Sequence, residues 1–248
     1  MAPTRPSRRT VLTVLGVLVL SALLDLLFGA VRFVGGDDRV EWRALETVSL
    51  PEPAERGETS VEAAIAARRS RREYGDQPLT LDQLGQLLWA AQGVTDDSTG
   101  HRATPSAGAL YPLELYVVVG PPGVEELETG IYHYHPRTHD LVLGSRADVQ
   151  SELAAVSIDQ GFVKSAAVDV VVCAVDDRTT GKYGERGALR YVPMEAGHAA
   201  QNVYLQAESL GLSTVCIGAF DDGQLLDVVG VSDGQRPLYL VPIGGRPR

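Results

Sequence analysis

The chain has 248 residues, is 44% hydrophobic and carries a formal net charge of -10. That length holds one large domain or two small ones, and the apolar share is that of a globular core rather than a disordered segment. The acidic balance excludes the basic face that nucleic-acid binding needs, so nucleic acid is not an expected partner.

At the N-terminus, Arg5, Arg8 and Arg9 precede an apolar run from Val11 to Val31. As a helix, at about 1.5 Å per residue, the run is long enough to cross a hydrocarbon core of ~30 Å. Asp25 is the one charge inside it. An aspartate at the membrane centre costs roughly 2.5–3.5 kcal/mol, but this one lies toward the far end, within reach of the interface. The arginines predict the N-terminus inside and the remainder outside. Two readings of residues 1–36 stand: a twin-arginine export signal carried by Arg8-Arg9, or a plain signal anchor whose basic flank contains that pair. No A-x-A cleavage site is evident, which favours an uncleaved membrane anchor with the main domain on the extracytoplasmic side. Without the four arginines and one aspartate of this segment, the balance moves from -10 to -13. Such a self-repelling surface suits a domain that stands off a membrane.

Residues 37–59, with two prolines in LPEPAERGE, read as an extended linker, and residues 60–248 as the main domain. Ser60 is an N-cap for SVEAAIAARRS, with Val61, Ala64, Ile65 and Arg68 at helical spacing. Thr80 caps a second helix, whose apolar face is Leu84, Leu87, Leu88 and Ala91 and which Gly93 ends. A loop is expected from Val94 to Tyr111. LELYVVVG is a strand, and GIYHYHPRTHDLVLG a hairpin. Residues 148–156 are helical. AVDVVVCAVD is too apolar for a one-sided strand and reads as a central one. MEAGHAAQNVYLQAESLGL is the longest helix, ended by Gly211, and Val203, Leu205, Ala207 and Leu210 predict its deep burial. STVCIGAF and RPLYLVPIG are buried strands on either side of a short helix, DGQLLDVVG. Helices and strands interspersed in this way define the α+β class, a central mixed sheet flanked by helices.

Cys173 and Cys216 sit in apolar runs and read as small buried hydrophobes, with a disulfide open to them in an exported protein. His133 and His135 alternate like outward-facing strand residues, and no metal-ligand spacing is present.

Four segments hold polar groups that a plain core does not need. RRSRR, Arg68 to Arg72, sets planar donors suited to bidentate phosphate binding, or a solvated charge cluster, at the end of a helix. PSAGALYP offers the Ser106 hydroxyl and lets a flat ligand approach the backbone at Ala107 and Gly108. KYGERGALRYVPMEAGHAAQN, Lys182 to Asn202, crowds two Lys/Arg–Tyr pairs and a proline ahead of the long helix. GGRPR places Arg246 and Arg248 after the last strand.

In this order the segments resemble the nitroreductase family of FMN flavoproteins, and more closely its SagB/ThcOx-type dehydrogenase branch, from about Leu50 to Arg248. The resemblance implies a nitroreductase-like fold and a homodimer with FMN at the subunit interface. It implies that Arg68, Arg69, Ser70 and Arg72 hold the phosphate, ribityl chain and polar edge of the flavin, with Arg246 and Arg248 completing the phosphate site. Pro105, Ser106 and Gly108, from the other subunit, would line the isoalloxazine. Glu195, Ala196 and Gly197 would bring backbone N–H groups toward flavin N5, and Gly218 and Ala219 would pass under the ring. Lys182-Tyr183 marks the SagB/ThcOx branch, where it is linked to oxidation of azolines to azoles. Either the pair supplies a base beside a cation, or it orders the loop above the flavin. The implied activity is an FMN-dependent oxidoreduction of a small organic molecule, with NAD(P)H as a possible donor. Azoline oxidation in peptide maturation and a non-catalytic flavin-binding domain are the alternatives.

Overall fold

The computed structural model describes residues 44–158, 160–231 and 234–247. The anchor expected over residues 1–36 and Arg248 lie outside the described residues. Among the described residues no helix is long and apolar enough to cross a membrane.

The strands are β1 (Glu46–Ser49), β2 (Val94–Asp96), β3 (His101–Arg102), β4 (Leu113–Val119), β5 (Gly130–His135), β6 (Asp140–Ser145), β7 (Val168–Ala174), β8 (Leu212–Thr214) and β9 (Arg236–Gly245). The helices are α1 (Val61–Ala67), α2 (Leu81–Gln92), α3 (Gln150–Val156), α4 (Asp177–Tyr183), α5 (Val192–Ser209) and α6 (Asp222–Val229). Seven strands form one sheet in the order β1-β6-β5-β4-β7-β9-β8, and β2 and β3 pair separately. The named strands pair antiparallel, and one isolated parallel bridge joins Leu79 and Val124 beside them.

The period-2 pattern sorts the core into two layers. Leu115, Val117 and Val119 of β4 and Val170 and Val172 of β7 face Leu84, Leu87 and Leu88 of α2 and Ala196, Ala199 and Val203 of α5. The intervening Tyr116, Val118, Val171 and Cys173 face Leu153 of α3 and Leu225 and Val229 of α6. Each fully buried leucine contributes about 1.5–3 kcal/mol by leaving water, and Leu84 and Leu225 are at 0% exposure. The sheet is therefore a rigid platform with helices on both faces, as the α+β reading expects.

Local signals set the helix ends. Thr80 and Gln83 form a capping box at α2, and the Gly93 N–H bonds to Trp89 O where the helix stops. Ser60 accepts the Ala63 N–H at the start of α1. Gly211, at φ +70°, reverses the chain after α5.

Several expectations are corrected. The linker over 37–59 contains β1, which pairs with β6. The loop from Val94 to Tyr111 contains the β2–β3 pair and a 3₁₀ turn at Ala107–Ala109. Lys182 and Tyr183 end a helix, and a π-helical turn at Gly187–Tyr191 leads from it into α5. Helix α5 is buried along one face only: Met194, His198 and Gln201 are exposed, and Leu205 and Leu210 are half-buried. On α1 only Ala64 is buried, while Val61 and Ile65 are 64% and 56% exposed. Cys216 lies beyond β8 and is half-buried, and both cysteines are free.

Candidate flavin site

Helix α5 organises the site from both ends. Near its C-terminal end, the Tyr204 hydroxyl accepts the Cys216 N–H at 2.9 Å and meets Ser70 Oγ at 2.9 Å. The Arg68 guanidinium lies 5.0 Å over the Tyr204 ring. One turn further on, Glu208 takes Arg71 at 3.3 Å and Arg246 at 2.7 Å. Burial raises the Glu208 pKa, but Arg246 and Arg71 outweigh it and hold the carboxyl below its ordinary value. The Arg71 N–H bonds to Thr214 O and the Gly75 N–H to Gly245 O, so the arginine turn is stitched to the β8–β9 edge.

Arg68, Ser70 and Arg246 are thus brought together around Tyr204 and Glu208 of α5. Arg69 turns back on its own helix, with Nη1 donating to Ala66 O and Arg68 O at 3.0 and 2.7 Å. Arg72 lies 5.8 Å over the Phe162 ring. Among the described residues neither Arg68 nor Arg72 has a carboxylate partner. An arginine cluster that keeps two guanidinium groups unpaired fits a phosphate monoester. Gly218 and Ala219 follow Cys216 and are exposed, and a side chain added at Gly218 would meet nothing within 4 Å. The backbone there is open to a flat ligand.

The other end of α5 faces the Pro105–Gly108 segment. Nearer Tyr204 on the same helix, Asn202 fixes the residues that lead into this segment: its Nδ2 donates to Ala90 O (3.0 Å), Thr104 Oγ1 (3.2 Å) and Ala103 O (3.4 Å). Ser106 Oγ accepts the Tyr111 N–H at 2.9 Å. Pro105 is exposed, as is Gly108. Glu195 is 3% exposed. Its Oε1 and the Nε2 of buried Gln92 are both without a hydrogen-bond partner among the described residues. Burial pushes the Glu195 carboxyl up to about 7, against the opposing pull of Ser106, Arg102 and Gln92. Ala196 packs into the core, so it can offer only backbone. Gly197 has open space where a side chain would begin.

Lys182 and Tyr183 join this end. An added Cβ at Gly108 would stand 2.8 Å from both Lys182 Nζ and Tyr183 OH. Lys182 Nζ lies 5.4 Å over the Tyr183 ring, which stacks edge-on against Tyr191 at 5.0 Å. Arg186 Nε donates to Tyr191 OH at 3.0 Å. The π-helical turn is what delivers Tyr191 to this contact, a common use of such turns at functional sites.

From Glu195 to Tyr204 the helix rises about 14 Å. The Pro105–Gly108 segment and the arginine turn therefore stand at opposite ends of α5 in one chain. Sequence reasoning missed Tyr204, Glu208 and Asn202, which act through partners far away in sequence, and Gln92 and Arg102, which meet each other across the β2–β3 loop. The i, i+4 spacing of Tyr204 and Glu208 was the one local signal for them. Among the described residues no cluster of His, Cys, Asp or Glu could hold a metal ion.

The family model described as "Nitroreductase family" matches residues 65–245, and this chain belongs to that family. A Methanocaldococcus jannaschii protein, assigned to the nitroreductases by name, is 46% identical over 187 residues, covering 75% of this chain and 91% of that one. The trifolitoxin-processing protein TfxB of Rhizobium leguminosarum bv. trifolii is 31% identical over 145 residues, covering 54% of this chain and 38% of its own length. A crystal structure from Ralstonia eutropha, also assigned to the nitroreductases by name, superposes with a TM-score of 0.71 at 30% identity, covering 87% of this chain and 93% of that one. The family is one of oxidoreductases, and the nitroreductase-like α+β fold follows from both the family match and the superposition.

Proposed function

We propose that the chain is an FMN-dependent oxidoreductase of a small organic substrate, working as a homodimer and accepting electrons from NAD(P)H. The observation that carries this reading is the arginine turn: Arg68 and Arg72 stay unpaired beside Ser70, Tyr204 and Arg246, next to the open backbone at Gly218. Arg68, Ser70, Arg72 and Arg246 would hold the phosphate and ribityl groups. Arg69 would support them by closing the end of α1. Bound FMN supplies hydride-level, two-electron chemistry. The Glu195–Gly197 backbone would face its ring, with Pro105, Ser106 and Gly108 of a second subunit on the other side. The exposed Val61 lines a groove of about 610 Å³ between α1, α2 and α5, together with Trp89 and Leu205, and Ile65 on the same helix is exposed as well. The groove is mixed, with Glu52, Glu55, Glu58 and Asp82 in its lining, and the exposed Val61 and Ile65 are the apolar part that supports a self-complementary dimer interface. The Arg8-Arg9 pair and the apolar run after it support a membrane-tethered, extracytoplasmic location.

The purified protein is expected to show the absorbance bands of oxidised flavin, to lose them with NAD(P)H and to regain them with a nitroarene or quinone. A colourless protein that takes up no FMN would overturn the reading. A yellow one that NAD(P)H, other donors and acceptors never change would be a binding domain only.

Glu195 is expected to set a pH dependence. Its raised value leaves the carboxyl protonated below about 7, where it holds a proton donor in a water-poor site. kcat/KM should therefore decline as pH rises through 7, and Glu195→Gln should remove that inflection. An unchanged profile in the variant would show that Glu195 has no such part.

The second reading is azoline oxidation in peptide maturation. It is favoured by one observation, the convergence of Lys182 and Tyr183 on Gly108, and by similarity to a toxin-processing protein. Conversion of an azoline-bearing peptide by the purified protein would establish it.

A further inference from the structure

We propose that a cleft between Tyr111, the start of β4 and the β5–β6 turn holds a carboxylate of the substrate, so that the substrate class is an anionic organic molecule. This rests on the oxidoreductase reading. The cleft encloses about 530 Å³ and has Leu110 and Tyr134 as apolar lining. Three arginines, Arg102, Arg137 and Arg178, line it against one carboxylate, Glu114. In a chain of net charge -10, a concave surface with two excess positive charges concentrates anions.

The two excess charges are also free to bind. Glu114 is fully engaged, accepting from Arg178 and meeting His133 Nε2 at 2.7 Å. His135 is offset by Asp140 at 3.5 Å. Arg102 is half-buried, yet among the described residues its guanidinium hydrogen-bonds only a neutral amide, from Nη1 to Gln92 Oε1 at 3.0 Å, while its backbone N–H donates to Tyr111 OH at 3.2 Å. Its guanidinium lies 4.5 Å over the Tyr111 ring, and burial lowers its pKa despite Glu114 and Tyr111 nearby. Glu114 and Glu195 lie near it without an ion pair among the described residues, so an incoming anion that makes direct contact would stabilise this desolvated cation. Arg137 is exposed at the hairpin turn and has no hydrogen bond or ion pair among the described residues. Both guanidinium groups line the same cleft, and a planar fork is the donor type that binds a carboxylate.

The cleft is joined to the reacting end of the site by two elements. Tyr111 follows Gly108 by three residues in the same turn, and Arg178 Nη1 donates to Tyr111 O at 3.0 Å. On α4, Arg178 precedes Lys182 by four residues, a rise of about 6 Å. A carboxylate held in the cleft would leave the rest of a small molecule directed along α4 toward Lys182, Tyr183 and Gly108.

The test uses the full chain and two readouts. Glutarate, titrated by calorimetry, should bind, whereas 1,5-pentanediol, its neutral counterpart, should not. Arg137→Glu should weaken glutarate by about tenfold or more, and Arg137→Gln by less. In turnover, Arg137→Glu should lower the 4-nitrobenzoate-to-nitrobenzene ratio of kcat/KM by about tenfold, through KM. Equal glutarate affinity in wild type and Arg137→Glu, no binding at about 10 mM, or equal binding of the diol would each overturn the proposal. If neither nitroarene is reduced by the wild type, the oxidoreductase reading loses that support, and the glutarate titration alone decides whether the cleft binds anions.

Discussion

Replacing Asp169 by asparagine is expected to stabilise the protein at neutral pH, by about 2–4 kcal/mol. Asp169 is at 0% exposure in β7, in the middle of the sheet. Gln150 Nε2 donates to its Oδ2 at 3.1 Å, while Oδ1 and the nearby Tyr74 hydroxyl are each without a partner among the described residues. Burial pushes this carboxyl from 3.8 up to about 8, against the pull of the Gln150 hydrogen bond. Asp169 therefore keeps its proton in the folded state at neutral pH and loses it in the unfolded state. The sign follows from that difference. Below pH 4 both states are protonated and nothing is lost. From about pH 4 to about pH 8 the unfolded state alone ionises, and stability falls by about 1.4 kcal/mol per pH unit. At pH 7 the cost reaches about 4 kcal/mol. Asparagine has the shape of the protonated acid, can still accept from Gln150 and can donate to Tyr74, but has no proton to lose. Urea unfolding of wild type and Asp169→Asn at pH 5 and pH 8 should show a gain that grows with pH. A variant less stable at pH 8 would mean that the folded state needs the charge.

The sequence made the two-layer core legible because its signals are local. Alternation in LELYVVV and VDVVVCA, the Thr80 cap and the Gly211 stop each act over a few residues. Strand β1 was hidden by its composition. It pairs on one side only, its residues are mostly exposed, and an edge strand of that kind carries no alternation. Helix α4 was hidden by Gly181 and Gly184, which read as loop. The helix forms because Thr179 is buried under it and Arg178 is anchored to Glu114 and Tyr111. At the site, the arginine turn and the glycines were legible as types of residue. What Arg68, Ser70 and Arg71 do was not, because it depends on Tyr204 and Glu208, more than 130 residues away. The same holds for Asn202, which fixes the residues that lead into the Pro105–Gly108 segment across about 100 residues.

Gly108→Ala is expected to lower kcat by about 100-fold while leaving the phosphate end of the FMN site intact. Gly108 stands at φ +66°, inside a short turn whose neighbour Ala109 is also at positive φ, +55°. A side chain in that conformation costs about 1–2 kcal/mol. The larger effect is steric. The new Cβ would meet Lys182 Nζ and Tyr183 OH at 2.8 Å, which real Cβ contacts do not allow, so both side chains must retreat or the turn must shift. Misplacement by about 1 Å at a reacting group is enough for a loss of about two orders of magnitude. The arginine turn is at the other end of α5, about 14 Å along its axis, so the phosphate contacts should survive while the ring's own surroundings change. The variant also separates the two roles open to Lys182 and Tyr183. If they take or hold the substrate proton, Tyr183→Phe should be nearly as inactive as Gly108→Ala, and the double variant no worse than either. If they only order the loop, Tyr183→Phe keeps its ring against Tyr191 and should retain most activity, while Gly108→Ala still disturbs the turn. Near-wild-type kcat in Gly108→Ala would show that the tips of Lys182 and Tyr183 can yield to the new Cβ without loss of turnover, against a proton-transfer role that needs them in place.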